Sequence, residues 1–164
     1  MQGTSLNNQA LQLDREGDLE GALRLHLQAL DVKERGYGPD HTATAITRNA
    51  LGELYMRMGK LDEAEENLKI AIRIRDNRRA AFDAAVSREN LAQLYEMKGN
   101  LREAKDIRLS GGNQLCCSNY TCTGQLFPLP KLSQCAGCKS AFYCSKACQV
   151  KDWKLRHKRY CKAQ

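Results

Sequence analysis

Four close pairs of soft ligands crowd the last third of this 164-residue chain: Cys117-x4-Cys122, Cys135-x2-Cys138, Cys144-x3-Cys148 and His157-x3-Cys161. Seven cysteines and one histidine in four pairs is the arithmetic of two tetrahedral zinc sites. Four protein ligands close a zinc ion, whereas catalytic zinc keeps a position for water. The chemistry expected here is therefore structural. Short cysteine spacings, with no cysteine before residue 116, argue for metal rather than a disulfide scaffold. An eighth cysteine, Cys116, abuts Cys117 and could compete with it, although the four-residue gap to Cys122 favours Cys117.

The ligands need elements to hold them. Cys135-x-Gly137-Cys138 reads as a knuckle with Gly137 easing a tight backbone. Cys144 and Cys148 stand at i and i+4, so on a helix they share a face, and Ser145 is placed to start that helix. His157 and Cys161 repeat the i, i+4 spacing inside a basic helical stretch. Between pairs, the segment Gln125–Leu132 is expected to be extended by Pro128 and Pro130. Trp153 is most simply a core residue between the two metal lobes.

Ahead of the ligands lies a repeat. Leu13-Asp-Arg-Glu-Gly17-Asp-Leu-Glu-Gly-Ala22, Tyr55-Met-Arg-Met-Gly59-Lys-Leu-Asp-Glu-Ala64 and Tyr95-Glu-Met-Lys-Gly99-Asn-Leu-Arg-Glu-Ala104 share one grammar. A helix ends at a left-handed glycine and the next begins with Leu-x-x-Ala. Leu51, Leu54 and Tyr55 recur as Leu91, Leu94 and Tyr95 on one helical face. Small residues (Gly52, Ala92, Ala22, Ala64, Ala104) mark close helix approach. The pattern predicts helices near 5–16, 19–35, 42–58, 61–77, 82–98 and 101–109, with a break at Gly36–His41. His26 stands where the second repeat has Leu68, which predicts a packed histidine. A single helix pair cannot bury its face alone, so neighbours must stack.

Residues ~5–110 resemble tetratricopeptide repeats of the kinesin-light-chain variety, on Leu51-Gly52-x-x-Tyr55, Gly59-Lys-Leu-Asp-Glu-Ala64 and Tyr37-Gly-Pro-Asp-His41. The likeness implies a peptide groove lined by Asn49, Glu53, Met56, Glu89, Gln93 and Glu96. The run from Cys135 to Cys161, with Gln149-x3-Trp153 inside it, resembles a MYND-type zinc finger over 117–161. That likeness implies interleaved sites, with Cys117, Cys122, Cys144 and Cys148 on one zinc and Cys135, Cys138, His157 and Cys161 on the other. It also implies that Gln149 and Trp153 contact short proline-containing peptides. The expected architecture is mostly α: repeats over 1–110, a linker at 111–116 and a finger at 117–161.

The charge is uneven. Residues 1–110 are about neutral, whereas 111–164 carry nine Lys and Arg against one acid, Asp152. Seven ligand thiolates and two dications would bring that +8 to about +5. Nucleic-acid binding through Lys151, Lys154, Arg156, Lys158 and Arg159 is thus an alternative. No recognition helix of known type accompanies the patch. No phosphate-cradling loop or nucleophile elbow appears, and no apolar run is long enough to cross a bilayer. The expectation is a non-enzymatic adaptor, cytoplasmic or nuclear, whose partners are proteins or short peptides and whose cofactors are two structural zinc ions. A further alternative is a fragment or relative of the MYND/SET lysine methyltransferases without the catalytic domain. Removing metal is expected to unfold 117–161 while the helical signal of 1–110 persists.

Overall fold

The structure is a computed structural model and describes residues 2–162. Among them are seven α-helices: α1 (Gln2–Glu16), α2 (Leu19–Tyr37), α3 (Thr42–Arg57), α4 (Leu61–Asn77), α5 (Ala81–Met97), α6 (Leu101–Leu109) and α7 (Lys146–Leu155). Four two-residue strands accompany them: β1 (Gln114–Leu115), β2 (Phe127–Pro128), β3 (Ser133–Gln134) and β4 (Phe142–Tyr143). β1 pairs antiparallel with β2, and β3 with β4. The chain divides into two compact units, Met1–Ala80 and Ala81–Gln164. The break falls between α4 and α5, inside the repeated region.

The turn between the helices of each pair has one construction. Gly17, Gly59 and Gly99 take φ of 90°, 74° and 79°. At each, the following residue returns its N–H to a carbonyl five positions back: Asp18 to Leu13, Lys60 to Tyr55 and Asn100 to Tyr95. This double closure satisfies the last carbonyls of the helix and needs a left-handed residue at its centre. The end of α4 uses the same bonds, Ala80 N–H to Arg75 O and Arg79 N–H to Asp76 O, but the left-handed residue there is Arg79, at φ 55°. Asp18 and Asn100 then open α2 and α6, their side-chain oxygens accepting from Gly21 N–H and Glu103 N–H.

In Met1–Ala80 two helix hairpins, α1–α2 and α3–α4, pack through small residues. Ala10, Ala22, Ala29, Ala45, Ala64, Ala71 and Leu68 are fully buried. Gly52 is obligatory: a Cβ there would lie 2.5 Å from Leu68 Cγ. His26 is buried as the sequence predicts, and its Nδ1 lies 2.9 Å from Asn7 Oδ1 across the hairpin. Lys33 is also buried and donates to the Thr47 hydroxyl at 2.8 Å. Burial pushes the Lys33 ammonium below the ordinary lysine value.

In Ala81–Gln164 the hairpin α5–α6 and the cysteine-rich segment share one core. Leu101 of α6 joins Cys117, Cys135, Cys138, Ala141 and Tyr143 in a single apolar cluster. β2 gives way to a short 3-10 turn at Leu129–Lys131, so the proline segment is not extended throughout. Pro128 fixes the chain just before that turn.

Candidate metal centres

The knuckle between β3 and β4 presents Cys135 and Cys138. Its left-handed residue is Lys139, at φ 56°, and not Gly137. Gly137 serves a different end, because a Cβ there would sit 3.1 Å from Cys161 Sγ. The glycine leaves room for a ligand instead of bending the turn. Cys144 lies just after β4 and before the cap residue Ser145, whose Oγ accepts Cys148 N–H at 3.2 Å. Cys144 is therefore outside the helix, and Cys148 alone stands in the first turn of α7. The i, i+4 spacing still brings their sulfurs to 3.6 Å. α7 stops at Leu155, and His157 sits on a 3-10 turn, His157–Arg159, closed by Cys161 N–H to His157 O at 2.9 Å. Arg156, the residue after the helix, leaves helical geometry at φ −146° and turns its guanidinium inward onto Asp152 and Glu96.

Two groups of four ligand atoms result. Cys117, Cys122, Cys144 and Cys148 converge, as do Cys135, Cys138, His157 and Cys161, every ligand atom of a group lying within 4.8 Å of the others. Cys116 stands outside both. The dimensions suit zinc. Four thiolates at about 2.3 Å from one ion stand about 3.8 Å apart along tetrahedral edges. The sulfur separations are 3.7 Å for Cys122–Cys144, 3.6 Å for Cys144–Cys148 and 3.7 Å for Cys135–Cys161. Cys138 Sγ lies 3.4 Å from His157 Nε2, shorter as a nitrogen ligand requires. Thiolate and imidazole donors select zinc over the hard cations.

Local groups favour charge on two of the thiols. Burial raises the Cys138 thiol, but bonds with His157 and Ser140 outweigh it and bring it to about 6. Burial likewise opposes Cys148, which contacts with Asn119 and Ser145 bring to about 7. Burial pushes the Cys117 thiol far up. A buried sulfur of that kind becomes a thiolate only beside a cation.

Around the second group lies a charged cluster that the sequence reading did not assemble. Arg108 of α6 is buried. Its Nε donates to Glu89 Oε2 at 2.8 Å, its Nη2 to Glu89 Oε1 at 2.7 Å and its Nη1 to Ser140 O at 2.8 Å. Its Nη1 also stands 2.8 Å from Glu96 Oε1. Arg156 pairs with Glu96 and Asp152, and Tyr143 Oη donates to Asp152 Oδ2 at 2.9 Å. Burial opposes the charge on Glu96, yet Arg108, His157 and Arg156 hold its carboxyl well below the usual carboxylate range. Burial leads the rise of the Tyr143 phenol, and Asp152 adds to it. One sequence signal pointed here: Asp152, the single acid of a basic tail.

These placements correct four expectations. Glu89, Gln93 and Glu96 are buried: Gln93 donates to Glu89, and the two carboxylates are paired with arginines. Arg156 is committed to ion pairs and leaves the basic surface patch. Trp153 is 40% exposed, not core, and its ring meets His157 edge-on with centroids 6.1 Å apart. Helical spacing between His157 and Cys161 gives way to the tighter turn. In Met1–Ala80, Asn49 is buried and donates to Glu53 Oε1, while Glu53 is exposed and Met56 half-buried.

Beside Trp153 runs an apolar groove of about 340 Å³, lined among others by Ala136, Gly137, Gln149, Val150 and Trp153. No helix among the described residues is long and apolar enough to cross a membrane.

The chain is similar to several known proteins. A family model described as tetratricopeptide repeat matches residues 2–77 and 48–107, and one described as MYND finger matches residues 116–161. Ubiquitin carboxyl-terminal hydrolase 17 of Arabidopsis thaliana is 29% identical over 90 residues, which make up 52% of this chain and only 12% of that protein. Two crystal structures of a Podosopora anserina kinesin light chain with nearly identical TPR-like repeats, one carrying a substitution, share the fold. Both give a TM-score of 0.59, at 21% and 20% identity, over 66% of this chain and 52% of theirs. The repeat match spans the paired helices, and the finger match spans both Cys/His groups. This chain belongs to the tetratricopeptide-repeat family and carries a C-terminal MYND finger with two clusters that could hold zinc.

Proposed function

We propose that this protein is a non-enzymatic protein–protein interaction adaptor whose finger takes short proline-containing peptides. Cys117, Cys122, Cys144 and Cys148 hold one zinc, and Cys135, Cys138, His157 and Cys161 hold the other. Four protein ligands on each ion leave no position for substrate or water, so the zinc work is to shape a surface. The observation that carries the peptide reading is the groove beside α7. Trp153 and Val150, each 40% exposed, flank Gln149 along it. An exposed indole with an amide one turn before it offers a flat apolar face and a hydrogen-bonding partner, which is the recognition that rigid proline segments use. Glu53 and Met56 of α3 supply a second surface on the repeats. Two surfaces on one chain let a partner be held at two points.

Trp153 is the only tryptophan in the chain, so its fluorescence reports on the groove directly. Titration of the zinc-loaded protein with a library of short proline-containing peptides should shift that emission. Gln149→Ala should weaken binding about tenfold, the order of one lost buried hydrogen bond. Trp153→Ala, followed by calorimetry, should abolish it with zinc content unchanged. Equal binding by both variants and the parent would eliminate the groove as the peptide site.

A further inference from the structure

The second Cys/His group is not self-contained. His157 turns Nε2 toward its cysteine partners, with Cys138 Sγ at 3.4 Å, and turns Nδ1 the opposite way. That Nδ1 is buried and makes no hydrogen bond of ordinary length. The group facing it is Glu96 Oε2, at 3.5 Å, on α5. Glu96 is itself buried, and Arg108 and Arg156 clamp its carboxylate from two sides. Asp152, the acid inside the finger, is engaged by Tyr143 and Arg156. The finger thus contributes a histidine whose outer nitrogen is answered from a helix of the repeats, outside the residues 116–161 that match the finger.

We propose that Glu96 is the outer-shell carboxylate of the second zinc site: it accepts the Nδ1 proton of His157, fixes the tautomer that leaves Nε2 free for metal, and makes tight binding of that ion depend on the last repeat. An imidazole can ligate through Nε2 only when its remaining proton sits on Nδ1. A buried N–H without an acceptor costs about 1–3 kcal/mol, and metal-bound histidines almost always give that proton to a carboxylate, carbonyl or water. A ring shift of roughly half an ångström brings Nδ1 from its present distance to normal hydrogen-bond length. Two flanking guanidinium groups keep the acceptor charged. They also neutralise it, so the zinc site gains orientation without a stray buried charge. Glu96 is a positioning residue, acting on the metal through His157.

This inference rests on the assignment of Cys135, Cys138, His157 and Cys161 to one zinc, and the experiment separates the two claims. The full chain, loaded with two zinc ions, is titrated with a chromophoric chelator. Glu96→Gln should weaken one of the two sites ten- to a hundredfold and leave the other as in the parent. Glu89→Gln, which removes a carboxylate of the same cluster that does not face His157, should leave both sites near parental affinity. Parental affinity in Glu96→Gln, or equal weakening of both sites in both variants, would overturn the proposal. Should Glu96→Gln fail to fold, the parent decides. In the chain loaded with ¹¹³Cd and ¹⁵N-histidine, metal coupling should appear on Nε2 of His157 and a slowly exchanging proton on its Nδ1. Coupling on Nδ1, or a freely exchanging proton there, refutes the role of Glu96 alone. A parent that binds fewer than two zinc ions sinks the ligand assignment and this inference together.

Discussion

Removal of metal should melt far more helix than the finger contains. α5, α6 and α7 contribute 17, 9 and 10 helical residues, against 15, 19, 16 and 17 in α1 to α4. The ligand cysteines and Leu101 of α6 belong to one apolar cluster, and Arg108 of the same helix donates to Ser140 O beside Cys138. Structural zinc contributes ~10–16 kcal/mol of apparent binding per site in small fingers. A whole domain retains only ~5–15 kcal/mol of net stability. Stripping both ions therefore leaves Ala81–Gln164 without enough to stay folded. Far-ultraviolet circular dichroism of the full chain in excess chelator should lose roughly a third of its helical signal, the share of α5 to α7. Zinc in excess should restore it, and the remaining two-thirds should melt as one transition belonging to Met1–Ala80. A loss of roughly a tenth, the share of α7 alone, would refute the shared core. It would also return α5 and α6 to the repeats, as the reading of residues 1–110 from sequence expects.

Two further outcomes follow from the first unit. Arg79→Gly should raise the stability of Met1–Ala80 by about 1 kcal/mol, because the left-handed conformation at φ 55° costs a side chain about that much and glycine nothing; an unchanged or lowered urea midpoint in the zinc-loaded chain would count against the strain. Lys33 sits buried with the Thr47 hydroxyl as its acceptor, and its folded pKa lies below its unfolded one. The cost of the buried charge is then full at neutral pH and is relieved as pH rises through the folded value towards the unfolded one. Lys33→Met should stabilise the unit by about 1–3 kcal/mol near neutrality and flatten the rise in stability toward alkaline pH, and a destabilised variant with the rise intact would refute the account.

The helices were legible because their grammar is local. Glycine at the turn, Leu-x-x-Ala after it and the 3.6-residue face depend on neighbours within one turn. Helix ends fell within one residue of expectation except at the start of α1 and the end of α2, which reach Gln2 and Tyr37, three and two residues further. The ligand pairs were legible for the same reason, since zinc chelation sets spacing directly. Burial was not legible where it depends on a distant segment. Glu89, Gln93 and Glu96 occupy the offsets that an open groove would use, but arginines 19 and 60 residues further along the chain claim the two glutamates. Trp153 reads as core by residue type, yet it is 40% exposed and only the edge of its ring meets the buried His157. The strands are two residues long, too short for any alternation to register.

The cluster around Arg108 and Arg156 bears on portability. Zinc fingers are often treated as cassettes that can be cut out and grafted between proteins. This one has a guanidinium just past its helix with two counter-charges, one of them arriving from sixty residues upstream. Excised at the paired glycines 111 and 112, it would carry Arg156 away from Glu96, leave Asp152 as the carboxylate that remains to it, and take from His157 Nδ1 the group that faces it. The smallest transferable piece of this chain begins at the first residue of α5, and any descendant that exchanged the finger alone would have to rewrite Arg156 as well.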